Sequence, residues 1–434
     1  MLKRLPVMLL SALLLAGVVS CENDDDLTNN DNDQNTGDAV QLNGTISSNT
    51  TWTADKDYLL TGQTFVDSGV TLTIEAGTTI KANADDGNGL APALIIKRGA
   101  KIIANGSASA PITFTSSLPE SELPQRGTWG GLIVLGNAPI NKPGGESFVE
   151  GLVGIPFGGT DSEDDSGILR YVRIWYGGRS IGQDNEINGL TLAGVGRGTT
   201  VEHIEVAWNL DDGIEFFGGT VDIQYCNVLF VGDDAFDSDL GYTGRGQFLF
   251  ALVGSDDGNR GFEMDNDGSN MDAQPRSKPQ FMNVTLVGSG AGSAADNDQL
   301  IRLREGTGGD FRNMILVNGK EYGVNITDQA TLDLIGGDLN WSSNNFVYNC
   351  SSGAFKADYG LSAQNVDPQL TSFGNESTGT IDPRPAAGSP VLTAGETLPG
   401  DGFFTQVAYS GAFNDVLWFK DYSILKDLGR LPSN

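Results

Sequence analysis

From residue 40 onward the chain alternates between short apolar runs and clusters of glycine, asparagine and aspartate. Val70-Thr71-Leu72-Thr73-Ile74, Ala93-Leu94-Ile95-Ile96, Ile112-Thr113-Phe114-Thr115 and Leu132-Ile133-Val134-Leu135 are β-rich and bounded by turn formers. No 3.6-residue periodicity is sustained, so the pattern predicts many short strands joined by tight turns. No proline- or serine-rich linker interrupts it, which points to one elongated domain rather than the two or three that length alone suggests.

The pattern also repeats. Asp211-Asp212-Gly213-Ile214-Glu215-Phe216 recurs 22 residues later as Asp233-Asp234-Ala235-Phe236-Asp237, and the Asp pair returns after 23 more at Asp256-Asp257. A period in this range marks a solenoid whose coils stack and share one core. In that frame Glu215 aligns with Asp237 and, past an insertion, with Glu263; the row extends upstream to Thr191 and downstream to Arg302 and Asn325. A second series places asparagine at the head of the runs beginning at Asn227, Asn283, Asn313 and Asn345, which predicts one ladder of stacked amides. The expected architecture is an all-β, single-domain parallel β-helix over residues 40–380, with 40–66 closing one end. Residues 381–434 carry Pro383, Pro385 and Pro390, the aromatic stretch Phe403 to Tyr422 and a short helix near Tyr422 to Leu428; they are expected to be a C-terminal cap over the open β-edge.

Several stretches resemble the right-handed, pectin-lyase-like β-helix lipoproteins common in Bacteroidetes, some of which circulate under the label multidrug transporter. They are Thr50-Thr51-Trp52, Leu72 to Thr78, Arg126 to Gly136, Asp212 to Thr220 and Gly411-Ala412-Phe413, and the resemblance covers most of residues 40–434. It implies a fold and a location and supplies no catalytic motif. The beginning of the chain agrees with it. Lys3 and Arg4 precede an apolar run from Leu5 to Val19, shorter than the ~20 residues of a spanning helix, and Val18-Val19-Ser20-Cys21 resembles a lipobox. Residues 1–21 then read as a lipoprotein signal ending on a lipidated Cys21. Two or three acyl chains anchor durably where one does not. Glu22, Asn23, Asp24, Asp25 and Asp26 resemble a surface-export signal and open an acidic tether over 22–39, so the expected location is the outer membrane, facing the cell exterior.

Charge narrows the partners. With 56 acidic against 26 basic residues and a formal net charge of −30, nucleic acid is excluded as an expected partner, because phosphate binding needs Lys and Arg. Cations, glycans or an outer-membrane partner protein fit better. The remaining cysteines, Cys226 and Cys350, are too few for a disulfide framework; Cys226 falls in a core frame, and a bridge between the two stays open.

Strand alternation buries Ile214 and Phe216 and turns Glu215, Asp237 and Glu263 outward, one rung apart at about 4.8 Å. Carboxylates at that spacing repel by roughly 1 kcal/mol in water and several times that in a partly dry groove. The row is therefore either a solvated acidic face or is compensated by Arg302, by a bound Ca²⁺, or by one carboxyl keeping its proton. Glu215, Asp237, Glu263 and Arg302 are the candidate catalytic residues of a lyase or glycoside hydrolase, with Arg260 as a further nearby base. Asp211, Asp212, Asp233 and Asp234, together with Asp265 and Asp267 in a partial EF-hand-like spacing that lacks the final Glu, are the candidate Ca²⁺ ligands. Trp175, Tyr176 and Trp208 are candidate sugar-stacking residues beside these rows. The single histidine, His203, aligns with Tyr225 and gives neither a zinc site nor an obvious triad, and no nucleotide cofactor is expected, since Gly194-Val195-Gly196-Arg197-Gly198 lacks a following helix. Three functions remain open: a glycan- or protein-binding surface lipoprotein, a polysaccharide-degrading enzyme, and a structural or adhesive solenoid.

Overall fold

The computed structural model describes residues 39–84, 90–149, 152, 154–179, 187–374 and 379–433. Cys21, the signal residues and nearly all of the tether lie outside the described residues. Within them, 24 strands hydrogen-bond in parallel into one continuous sheet that winds as a β-helix. Each coil contributes to three columns. One column runs through Leu132–Leu135, Leu190–Ala193, Ile214–Phe217, Phe236–Asp239, Phe262–Met264, Gln299–Leu303 and Tyr322–Ile326. The other two are formed by the first and second halves of longer strands such as Thr200–Ala207, Ile223–Leu229, Arg245–Leu252 and Gln280–Val287. The period follows from this. Alternate residues of every strand enter one shared core, where Leu192, Phe216, Phe236, Phe262, Cys226 and Leu249 are wholly buried.

Those longer strands bend between their halves at a single left-handed residue. Tyr171, His203, Tyr225, Phe248, Asn283 and Asn313 all have φ between 50° and 59°. Such a conformation costs a bulky residue on the order of 1–3 kcal/mol, and stacking along the axis offsets it. The Tyr171, His203, Tyr225 and Phe248 rings follow one another at 4.2, 4.7 and 4.8 Å. The expected asparagine ladder is thus corrected: Asn283 and Asn313 continue this corner series, whereas Asn227 pairs with Glu205 and Phe250 within a strand, and Asn345 caps the Met314 amide from a turn. A spacing shared by sequence does not distinguish a corner from the position two residues beyond it. Burial holds His203 down to about 4, so it is neutral near pH 7.

The two ends differ from expectation. Residues 40–57 form the first regular coil and Tyr58–Val66 opens the second, with Trp52 stacked on Tyr58 at 5.4 Å, so 40–66 is not a separate cover. The last coil is closed by Tyr359, Leu361 and Ala363, which pack on the core while Gln364 bonds to Asn345. Residues 381–434 lie along the flank of the coils instead of over the final one. The Ile424 amide donates to Glu205 at 2.8 Å, the Ala412 amide to Thr285 at 2.9 Å and the Gly411 amide to Asn313 at 2.7 Å. The reason is apolar area: Ala207, Leu229, Phe250, Val287 and Ile315 face outward on that column and are buried by Phe413, Phe419 and Tyr422. The expected short helix is present as Ile424–Asp427.

Candidate functional site

The outward row falls where the alternation puts it. Thr191, Glu215, Asp237, Glu263, Arg302 and Asn325 occupy consecutive rungs in register. A second column precedes it at the turn into each strand. There the Gly189 amide bonds to Asp212, that of Gly213 to Asp234 and that of Ala235 to Arg260, so Asn188, Asp212, Asp234 and Arg260 stack in order. The Asp pair therefore continues as Asn259-Arg260. Asp256 and Asp257, expected to be the third pair, lie in the preceding loop, where Arg126 bonds to Asp256 at 2.8 Å.

The row is not a solvated face. The described residues between 136 and 166 cross over this sheet, and Ile140, Val149, Leu152 and Phe157 cover the outward Ile95 and Ile133 upstream of it. Downstream, Lys142 of the same segment reaches Asp267 at 3.0 Å. Glu263 is buried, Asp237 and Glu215 are half-buried, and the carboxylates are consequently in a partly dry environment.

The two acidic columns merge into one cluster with unlike ends. At the downstream end Glu263 meets three guanidinium groups: Arg260 at 2.9 Å, Arg304 at 2.8 Å and Arg302 at 3.3 Å. Arg260 also bonds to Asp234 at 3.2 Å, and Arg304 grips Asp265 through Nε at 2.7 and 2.8 Å. Arg302 compensates the row as expected, but jointly with two others. Arg304 escaped notice although its signal was present, since it lies two residues beyond Arg302 on the same outward side. Asp239, two residues beyond Asp237, was overlooked in the same way.

At the upstream end no arginine or lysine forms an ion pair with Asp212 or Asp237 among the described residues. Oxygens of Asp212, Glu215 and Asp237 lie within 4.8 Å of one another; the same is true of Asp211, Asp212 and Asp233, and of Asp234, Asp237 and Glu263. Asp212 accepts the Asp234 amide at 2.9 Å, and Asn188 donates to Glu215. Oδ1 of Asp237 and Oδ1 of Asp234 are out of water without a hydrogen-bond partner. Burial, reinforced by the neighbouring carboxylates, raises Asp212, Asp234 and Asp237 well above the usual carboxylate range. Burial likewise lifts Asp265, which reaches about 7 against the pull of Arg304.

Oxygens this close together could share one cation. Oxygens bind Ca²⁺ at about 2.3–2.6 Å, so two ligands on opposite sides of one ion are about 4.8 Å apart. Asp211 and Asp233 also line an open depression of about 360 Å³ with Asp257, Asn259 and Asp296. Asp265 and Asp267 do not join it, because Arg304 and Lys142 hold them, and the EF-hand-like spacing corresponds to no ligand loop.

The aromatic residues correct another expectation. Trp175, Tyr176 and Trp208 are buried beneath the C-terminal segment, with Trp208 stacked on Phe230 at 4.9 Å and Trp175 Nε1 donating to Glu205 at 3.0 Å. They end the strands of a different column and do not line the acidic cluster. Cys226 is a buried core thiol, pushed up to about 12 by burial, and both Cys226 and Cys350 are free.

Fold and site together define a parallel β-helix carrying a carboxylate cluster on one face. Residues 44–382 match the family described as pectate-lyase-like beta helix domain, and the chain belongs to that family. No curated protein and no solved structure matches it significantly. Among the described residues no helix is long and apolar enough to cross a membrane.

Proposed function

We propose that this protein is a lipid-anchored outer-membrane protein, exposed at the cell surface, that holds Ca²⁺ on its acidic face and through that ion binds an acidic glycan. One observation carries the cation: oxygens of Asp212, Glu215 and Asp237 converge within 4.8 Å, while Asp237 Oδ1 is shielded from solvent and accepts no hydrogen bond. A carboxylate so placed takes up either a proton or a metal ion. The ion is what lets an anionic ligand bind, because a chain at −30 repels an anionic polymer unless a cation bridges them. A glycan carboxylate or sulfate would complete the Ca²⁺ shell from the depression beside Asp211 and Asp233. A basic partner protein is another occupant that this charge admits. The lipobox at Cys21 supports the anchor, and the acidic residues after it support the outer face.

Titrating CaCl₂ into the full chain in detergent tests the ion, and size-exclusion chromatography with acidic polysaccharides, with and without EGTA, tests the glycan. Heat of binding that Asp237→Asn removes, together with Ca²⁺-dependent co-elution, is the expected result. Calcium binding without any co-elution would retain the ion and discard the glycan. A second reading rests on the Asp237 carboxyl, which burial and the neighbouring Glu215 shift toward its protonated form, the form a general acid needs. Shortened polysaccharide chains in the same experiment would establish degradation in place of binding.

A further inference from the structure

We propose that the depression at the C-terminal end of the coils is a second binding site, for one neutral, hydroxyl-rich sugar ring. It has a volume of about 380 Å³ and is lined by Asp310, Arg312, Asn340, Trp341, Ser342 and Glu396, among others. That volume lies within the roughly 300–1,000 Å³ of small-molecule sites. It sits on a different column of strands from the carboxylate cluster.

The position of Trp341 follows from the solenoid. Phe281, Phe311 and Trp341 stand on consecutive rungs of one column and point inward. In the earlier coils the next rung covers the ring, and Phe311 is wholly buried. Trp341 is in the last rung of its column, so it is only half-buried and lines the depression. Its orientation is set: Nε1 donates to the Ser362 carbonyl at 3.1 Å, and Phe355 meets the indole edge-on at 5.9 Å. A fixed indole with one polar edge anchored offers an apolar plate at low entropic cost.

The rim supplies hydrogen bonds of fixed direction. Arg312 grips Asp310 through two parallel bonds of 2.8 Å. Ser342 Oγ and Asn344 Nδ2 both donate to Oε2 of Glu396, at 2.8 and 2.9 Å, which leaves Oε1 to accept from a ligand. Asn340 adds both donor and acceptor capacity. Two carboxylates against one guanidinium leave the site negative by one, so phosphate and uronate are disfavoured. Hydroxyl groups, which donate to carboxylates and accept from amides, match the rim, and the C–H face of a sugar ring matches the indole.

The test is saturation-transfer NMR and calorimetry on the full chain in detergent, with methyl glucoside, galactoside and mannoside as probes and glucuronate as the charged control. The expected result is binding of at least one neutral glycoside that EGTA and Asp237→Asn leave unchanged, which separates this site from the calcium-dependent one. Trp341→Ala should weaken it at least tenfold and Trp341→Phe much less. Glu396→Gln, which keeps the rim in shape, should weaken it several-fold and guards against misfolding of the last coil in the alanine variant. Absence of binding by every neutral glycoside, equal binding of glucuronate, or wild-type affinity in both Trp341→Ala and Glu396→Gln would overturn the proposal.

Discussion

Glu205 Oε1 accepts a hydrogen bond from the amide of Ile424 at 2.8 Å, joining the middle of the solenoid to a residue 219 positions later in the chain. The same carboxylate accepts from Trp175 Nε1 at 3.0 Å and from Asn227 Nδ2 at 2.7 Å, and it is wholly buried. Burial raises its pKa, while hydrogen bonds from Ser423, Ile424 and Asn227 and the charge of Arg173 pull the other way. Glu205 is therefore a wholly buried polar anchor between the C-terminal segment and the coils.

Replacing Glu205 with Ala leaves three buried donors unsatisfied, at about 1–3 kcal/mol each. The expected consequence is local: hydrogen exchange in residues 411–425 should accelerate far more than in the strands around Ile214. Uniform acceleration along the whole chain would mean that the segment and the coils unfold together.

Asp237 gives a prediction with a sign. Its folded pKa is raised well above the usual value, so the folded state holds that proton more tightly than the unfolded chain does. Its contribution to stability is full below the unfolded pKa of about 3.9 and is lost as pH rises through the folded value. Without calcium, Asp237→Asn should thus melt higher than the parent protein, by a margin that widens as pH rises above ~4. Calcium should raise the parent melting temperature and not that of the variant. A margin that shrinks with rising pH would contradict the burial of this carboxyl.

Glu263 should behave in the opposite way. It balances Arg260, Arg302 and Arg304, and removing one partner of a buried ion network costs about 3–5 kcal/mol. Glu263→Ala is expected to lower the melting temperature at any calcium concentration. A variant as stable as the parent would remove Glu263 from the frame and return it to the list of groups available for chemistry.

Much of this molecule is determined by local pattern. A strand buries alternate residues, and a solenoid repeats that choice every coil, so the register of Glu215 on Asp237 on Glu263 could be read from the spacing of Ile214, Phe236 and Phe262. The same alternation placed Cys226 in the core and His203 beside Tyr225. Membership of the row was therefore legible, and so was the repulsion it must resolve.

What covers the row was not legible, because covering depends on segments remote in sequence. Ile140, Val149, Leu152 and Phe157 fold over the acidic sheet and residues 381–433 over the aromatic flank, through apolar contacts that have no period and no fixed separation. Only the tertiary structure could show that Trp175 and Trp208 are hidden, that three arginines converge on Glu263, and that Oδ1 of Asp237 is shielded from solvent and accepts no hydrogen bond. The physical reason is one of range. Alternation and stacking act between neighbours one coil apart, whereas burial and ion pairing depend on which distant surface happens to be complementary.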